Sequence, residues 1–138
     1  MSADQLAFLQ SKTFAVAGAS NDRQKYGNIV YRALVDYIAD DEGRGVYPLN
    51  PNLDRVESVP AYPSVKELPG IPDTLSIVTQ PAVTRHVVAE AIAAGVKQIW
   101  MQPGAEDDEA IRTAREADVV VIAGGPCILV AMKTIARR

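Results

Sequence analysis

Short, uninterrupted apolar runs recur along the chain, and between them apolar residues fall at three-to-four spacing. Phe14-Ala15-Val16-Ala17 is the first run, and Val46–Leu49 and Val119–Ile122 repeat it; Thr74–Val78 is apolar apart from Thr74 and Ser76, and Lys97–Met101 reads as a further strand. A run without polar alternation predicts a strand buried on both faces. Gly27–Asp40 carries Ile29, Ala33 and Tyr37 beside Val30, Leu34 and Ile38, the stripe of an amphipathic helix ended by Gly43 and Gly45. Ala82–Ala94 predicts a second helix with Val83, Val87, Ala91 and Ile92 inward and Gly95 as its stop. Glu106–Ala117 predicts another, with Ile111 and Ala114 inward. Ser2 caps a short helix over Ala3–Gln10 with Leu6 and Leu9 inward, and Pro126 opens a final helix. Val59–Tyr62, between Pro60 and Pro63, is at best a stubby edge strand, and Ser64–Leu68 makes one helical turn.

Strands that alternate with helices form a parallel sheet covered on both faces. The expected fold class is α/β: a doubly wound, Rossmann-like parallel sheet of five to six strands, in a single domain over residues 1–138. Such folds bind ligands beyond the carboxyl ends of the strands, where the winding reverses. Four segments fall there: Gly18–Tyr26, Pro48–Asn52, Thr79–Pro81 and Gln102–Gly104. The first is the richest in chemistry. A buried strand ends in the small residues Gly18-Ala19-Ser20, crosses a polar loop and feeds a helix. That order presents backbone N–H groups at the positive end of a helix, where a phosphate or other anion binds.

Composition narrows the ligand. With 138 residues, 48% hydrophobic and 22% charged, the chain is long enough for a sizeable core. A net charge of −3 without a basic block excludes a nucleic-acid partner. No apolar run approaches the roughly 20 residues of a membrane helix, and the first ten residues carry no secretory pattern, so no membrane partner is expected. The lone Cys127 suits a reducing, cytoplasmic location.

The usual dinucleotide fingerprint is G-x-G-x-x-G with an acid closing the second strand. Here Ser20 stands at the second glycine, and the strand ends Tyr47-Pro48-Leu49-Asn50-Pro51 without an acid, so both departures count against NAD. The P-loop pattern is absent as well. Ser20 offers a hydroxyl to a phosphate, Arg23 and Lys25 offer charge, and Pro48, Leu49 and Pro51 offer a flat apolar wall for an adenine ring. These residues favour a phosphorylated adenine ligand that is not read through its ribose diol.

The order V-A-G-A-S, Y-P-L-N-P-N, A-Y-P-S-V, W-M-Q-P-G and a late cysteine resembles the small stand-alone CoA-binding domain family, across about Thr13 to Leu129. That family shares its fold with the nucleotide-binding domain of the succinyl-CoA synthetase alpha subunit. The resemblance implies coenzyme A as the cofactor. It implies that Gly18, Ala19 and Ser20 cradle the phosphates, with Arg23 and Lys25 nearby, and that Pro48, Asn50 and Pro51 border the adenosine. It places Thr79, Gln80 and Pro81 across the cleft, and Gln102 and Gly104 at its far side. The chain departs from the family pattern in lacking an arginine near Thr79 and in placing Gly124-Gly125-Pro126, not an Asp-Arg pair, before Cys127.

The remaining reactive residues have simpler explanations. His86, the one histidine, reads as a surface or packing residue, with no serine or cysteine beside it in sequence. It does not match the phosphohistidine of succinyl-CoA synthetase, which that family places in a separate domain. Cys127 reads as a small core residue, Trp100 as core, and Glu106-Asp107-Asp108-Glu109 as acids complementing a helix start. One His and one Cys do not build a zinc site. The expectation is a protein that binds CoA or acyl-CoA without catalysis of its own. The alternatives are an NAD(P)-dependent oxidoreductase, an acyl-CoA ligase subunit acting with a partner chain, and a protein-interaction module with an empty cleft.

Overall fold

In the computed structural model, which describes residues 1–136, Ser2 accepts a hydrogen bond from the Gln5 backbone while the Gln5 side chain returns to the Ser2 N–H, at 3.1 and 3.2 Å. This capping box starts α1 (Ala3–Leu9). β1 (Thr13–Ala17), α2 (Tyr26–Tyr37) and β2 (Gly45–Leu49) follow. A two-stranded hairpin, β3 (Arg55–Val56) and β4 (Val59–Pro60), and a single 3-10 turn at Val65–Glu67 come next. The chain continues with β5 (Thr74–Ile77), α3 (Pro81–Ala94), β6 (Gln98–Met101), α4 (Asp108–Glu116), β7 (Val120–Ile122) and α5 (Ile128–Ala136).

Five strands form one parallel sheet in the order β2-β1-β5-β6-β7. Counted within the sheet this is 2-1-3-4-5, a doubly wound order whose winding reverses between β1 and β5. Strand alternation divides the core. Phe14 and Val16 pack on one face with Phe8, Leu9, Val30, Leu34, Trp100 and Ile128, under α1, α2 and α5. Ala15 and Ala17 lie on the other with Leu75, Ile77, Val88, Ile99 and Ala114, under α3 and α4. Trp100 is fully buried and meets Phe8 edge-on, at 88° and 5.4 Å between centroids, so it is core as the sequence suggested. No helix among the described residues is long and apolar enough to cross a membrane.

Several details differ from the sequence reading. Val59–Tyr62 is not an edge of the main sheet: its first residues pair in the separate hairpin, and only Tyr62 makes a parallel bridge, to Leu49. In α1 the buried face is Gln5, Phe8 and Leu9, with Leu6 half-buried. In α3 the core face is Thr84, Val88 and Ala91, while Val83 is exposed. Pro81 stands at the first position of α3, and the Thr84 hydroxyl, on the core face, donates to the Gln80 carbonyl at 3.2 Å. α5 begins at Ile128, not at Pro126. The Cys127 carbonyl receives the N–H groups of Val130 and Ala131 at 3.1 and 3.3 Å, so Cys127 is the cap.

Candidate functional site

The carboxyl ends of β1 and β5 leave the sheet side by side. Gly18 has φ +91°, and a Cβ built on it would stand 2.1 Å from the Val78 carbonyl oxygen. Only glycine fits where the two strands diverge so closely. The Gly18 N–H still donates sideways to Leu49 at 3.1 Å, extending the β1–β2 ladder by one bond. Ala19 is fully buried. The Ser20 hydroxyl oxygen accepts from the Asp22 N–H at 3.0 Å and keeps its own proton to donate. Asp22 in turn accepts from the Gln24 N–H at 3.0 Å, and Asn28 donates to the Ser20 carbonyl at 2.7 Å.

The later part of the loop is thus fixed by its own N–H groups at Asp22, Gln24 and Lys25, while the donors at its start are spared. Among the described residues no acceptor takes the backbone N–H of Ala19, Ser20 or Asn21. These groups precede the start of α2, whose dipole adds positive potential. Arg23 lies in an ion pair with Glu57 at 2.6 Å and is largely exposed. Lys25 is exposed and makes no ion pair among the described residues.

Below the loop lies a cleft of about 180 Å³ between the ends of β1, β2 and α3. Leu49, Pro51, Val65, Val83 and Val87 make it apolar, and Ser64, Thr79, His86 and Glu90 are its polar groups. Pro51 and Thr79 line it. Pro48 does not: it is buried in β2 opposite Val16, and its carbonyl receives the Tyr62 N–H at 3.0 Å. Of the three residues expected to form the wall, Leu49 and Pro51 line the cleft and Pro48 does not, because successive strand residues face opposite sides. Asn50 is a strap. Its amide donates to the Ala19 carbonyl at 2.8 Å, and its Oδ1 accepts from the Asn52 N–H at 2.8 Å.

Thr79 Oγ1 lies 2.8 Å from Thr84 Oγ1, Gln80 caps α3 by its backbone alone, and Pro81 is exposed. Gln102 lies away from the cleft and is fully buried. Its Nε2 donates to Ser76 Oγ at 3.0 Å and its Oε1 accepts from the Ile128 N–H at 2.8 Å, tying β6 to β5 and to α5. Gly104, with φ +94°, is an exposed turn whose N–H donates to Glu106 at 2.7 Å. Neither Gln102 nor Gly104 lines the cleft.

Sequence reading missed Val65, Val87 and Glu90 as cleft residues and took His86 for a bystander. The available signal was the stripe 83, 86, 87 and 90, at helical spacing, on a helix whose core face is 84, 88 and 91. The sequence reading had assigned Val83 and Val87 to the core face, and the polar His86 and Glu90 hid the rest of the stripe.

The other titratable groups serve packing. Asp107 caps α4 through the Ala110 N–H at 3.0 Å and pairs with Arg85 at 2.9 Å, which locks α3 to α4 and holds its carboxyl below the ordinary range. At Cys127, burial pushes the thiol up, but the Tyr26 hydroxyl and the N–H groups opening α5 outweigh it, so the net direction is down. That contact with Tyr26 is loose, since the buried Tyr26 hydroxyl has no well-formed hydrogen bond. Among the described residues no three His, Cys, Asp or Glu side chains converge to hold a metal.

The model of a CoA binding domain family matches residues 12–133. The alpha subunit of ADP-forming acetate–CoA ligase II from Pyrococcus furiosus is 38% identical over 92 residues, which is 67% of this chain but only 19% of that subunit. A PH1109 protein redesigned for binding superposes with a TM-score of 0.86 at 28% identity, over 98% of this chain and 91% of its own. The dinucleotide-forming acetyl-coenzyme A synthetase 1 of Ca. Korarchaeum cryptofilum, solved with phosphate and ADP, superposes with a TM-score of 0.71 at 29% identity, over 83% of this chain and 25% of its own. With the family model covering nearly the whole sheet and its loops, the chain belongs to the CoA binding domain family.

Proposed function

We propose that the chain binds coenzyme A, or an acyl-CoA, where the winding of its sheet reverses, and performs no chemistry on it alone. The observation that carries this reading is the pair of backbone N–H groups at Ser20 and Asn21 without acceptors among the described residues, next to Gly18, which lines an apolar cleft. Gly18, Ala19 and Ser20 cradle the pyrophosphate, with Lys25 adding charge and Arg23, paired with Glu57, offering a donor. The cleft, at about 180 Å³, is smaller than a pocket that encloses a whole ligand, typically about 300–1,000 Å³. It suits one ring system, the adenine, against Leu49, Pro51 and Val83. The rest of the cofactor then runs over the open strand ends past Thr79, Gln80 and Pro81. Asn50 and Gln102 act through the fold, by strapping the loop and by seating α5.

NAD is disfavoured because β2 ends at Leu49, with Asn50 and Pro51 after it and no acid to hold a ribose diol. Calorimetric titration with both ligands tests this: CoA is expected to bind the more tightly, and NAD binding as tight or tighter overturns the reading. Mass spectrometry of ligand released from native protein names the occupant directly. A second reading, a subunit of an ADP-forming acyl-CoA ligase, is supported by the Pyrococcus furiosus relative, of which this chain matches a small part. Co-purification with an ATP-binding chain would favour it.

A further inference from the structure

The β3–β4 hairpin stands outside the sheet yet is bonded to both ends of the phosphate loop. Asn21 clasps its backbone from both sides, accepting the Glu57 N–H at 2.8 Å and donating to the Arg55 carbonyl at 2.9 Å. The Glu57 carboxylate takes Arg23 Nη2 at 2.6 Å, Arg23 Nε at 3.4 Å and Asn28 Nδ2 at 3.2 Å. The same Asn28 amide holds the Ser20 carbonyl, and its Oδ1 accepts from Arg32 Nε at 2.6 Å. Glu57 achieves this from a strained position. Its φ is +49° and that of Ser58 is +68°, in a hairpin turn that Asn-Gly would adopt at less cost. A glutamate held there points to a task for its side chain.

We propose that Glu57 is the positioning residue of the phosphate loop, clamping Arg23 and Asn28 so that the loop is set before a ligand arrives. The inference rests on reading that loop as the phosphate cradle. Arg23 meets Glu57 through Nε and Nη2, leaving Nη1 without a protein partner among the described residues and directed by the pair. Glu57 is neutralised by Arg23, so its charge does not repel a phosphate, and preorganisation removes part of the ordering cost of binding.

Glu57→Asn separates the clamp from the turn, because the short carboxamide tolerates a left-handed backbone but cannot span to Arg23 and Asn28. The melting temperature is expected to stay level or rise. Amide hydrogen exchange over residues 19–28 of the ligand-free protein is expected to quicken by about tenfold, and CoA affinity to fall by about tenfold. Ser58→Gly relieves the same turn without touching the clamp, and should raise the melting temperature while leaving both other readings at wild type. Glu57→Gln, which keeps the length but loses the charge, serves if the asparagine variant does not fold, and is expected to move exchange and affinity in the same directions. Unchanged exchange, or unchanged CoA affinity, in the folded Glu57 variants overturns the proposal. If wild-type protein does not bind CoA, the CoA reading falls instead, and the exchange measurement, which needs no ligand, decides the clamp.

Discussion

A Cβ atom on Gly27 would lie 1.9 Å from the carbonyl oxygen of Gly18, so the first turn of α2 rests directly on the residue that follows β1. The loop between them leaves and returns to nearly the same point, which is why its donors are gathered over one small area. Both members of the contact are backbone, and no side-chain rotation relieves the overlap.

Gly27→Ala is therefore expected to destabilise the fold by about 1–3 kcal/mol, the usual cost of overpacking. Gly18→Val adds a strained φ of +91° to its overlap with the Val78 carbonyl, a further loss of roughly 1–3 kcal/mol. Denaturant unfolding of both variants measures these losses. A Gly27→Ala protein as stable as wild type would mean that the loop opens freely. Gly18→Val tests the fold before it tests phosphate binding, because the new side chain would run into the Val78 backbone.

Val83 supplies a cleaner probe of the cleft. It is 48% exposed, so Val83→Asp should change stability by no more than about 0.5 kcal/mol. The new carboxylate would enter an apolar wall beside Glu90, and a bound ring would strip it of water without giving it a partner. CoA affinity is expected to fall by about tenfold or more, read by titration beside a melting curve. Unaltered affinity would move the adenine elsewhere.

Gln102→Leu should do the reverse. It strands the Ser76 hydroxyl and the Ile128 N–H in the core, at about 1–3 kcal/mol for each group. Stability is expected to drop while the protein that remains folded binds CoA at wild-type affinity. A folded variant with lost affinity would show that Gln102 touches the ligand after all.

Acid should loosen the α3–α4 contact. The Asp107 carboxyl is held below its ordinary range chiefly by Arg85, then by the Ala110 N–H. A group whose folded pKa is depressed contributes its stability in full above the unfolded value, about 4 for aspartate, and loses it as pH falls through the folded one. Unfolding curves below about pH 4 should therefore fall less steeply for Asp107→Asn than for wild type. Identical slopes would show that the pair carries no pH-dependent stability.

The largely apolar segments at 14–17, 46–49, 74–78, 97–101 and 119–122, alternating with helical patterns, determined the parallel sheet by themselves, because strands buried on both faces are predominantly apolar. The small residues at 18–20 and the missing acid after β2 likewise located the loop and argued against NAD, since backbone freedom and local donors are written in single positions. Which side of each element met the cleft was decided only by the tertiary structure. Pro48 and Leu49 are adjacent and both buried, yet the pleat turns them to opposite faces and only Leu49 lines the cleft. The stripe of Val83, His86, Val87 and Glu90 became a wall only once α3 crossed the end of β1. Glu57 is 29 residues from Asn28 and 34 from Arg23, and no pattern local to any of them records the pairing. Periodicity reports burial along one element; a site built where four elements end depends on their relative placement, which sequence neighbours do not encode.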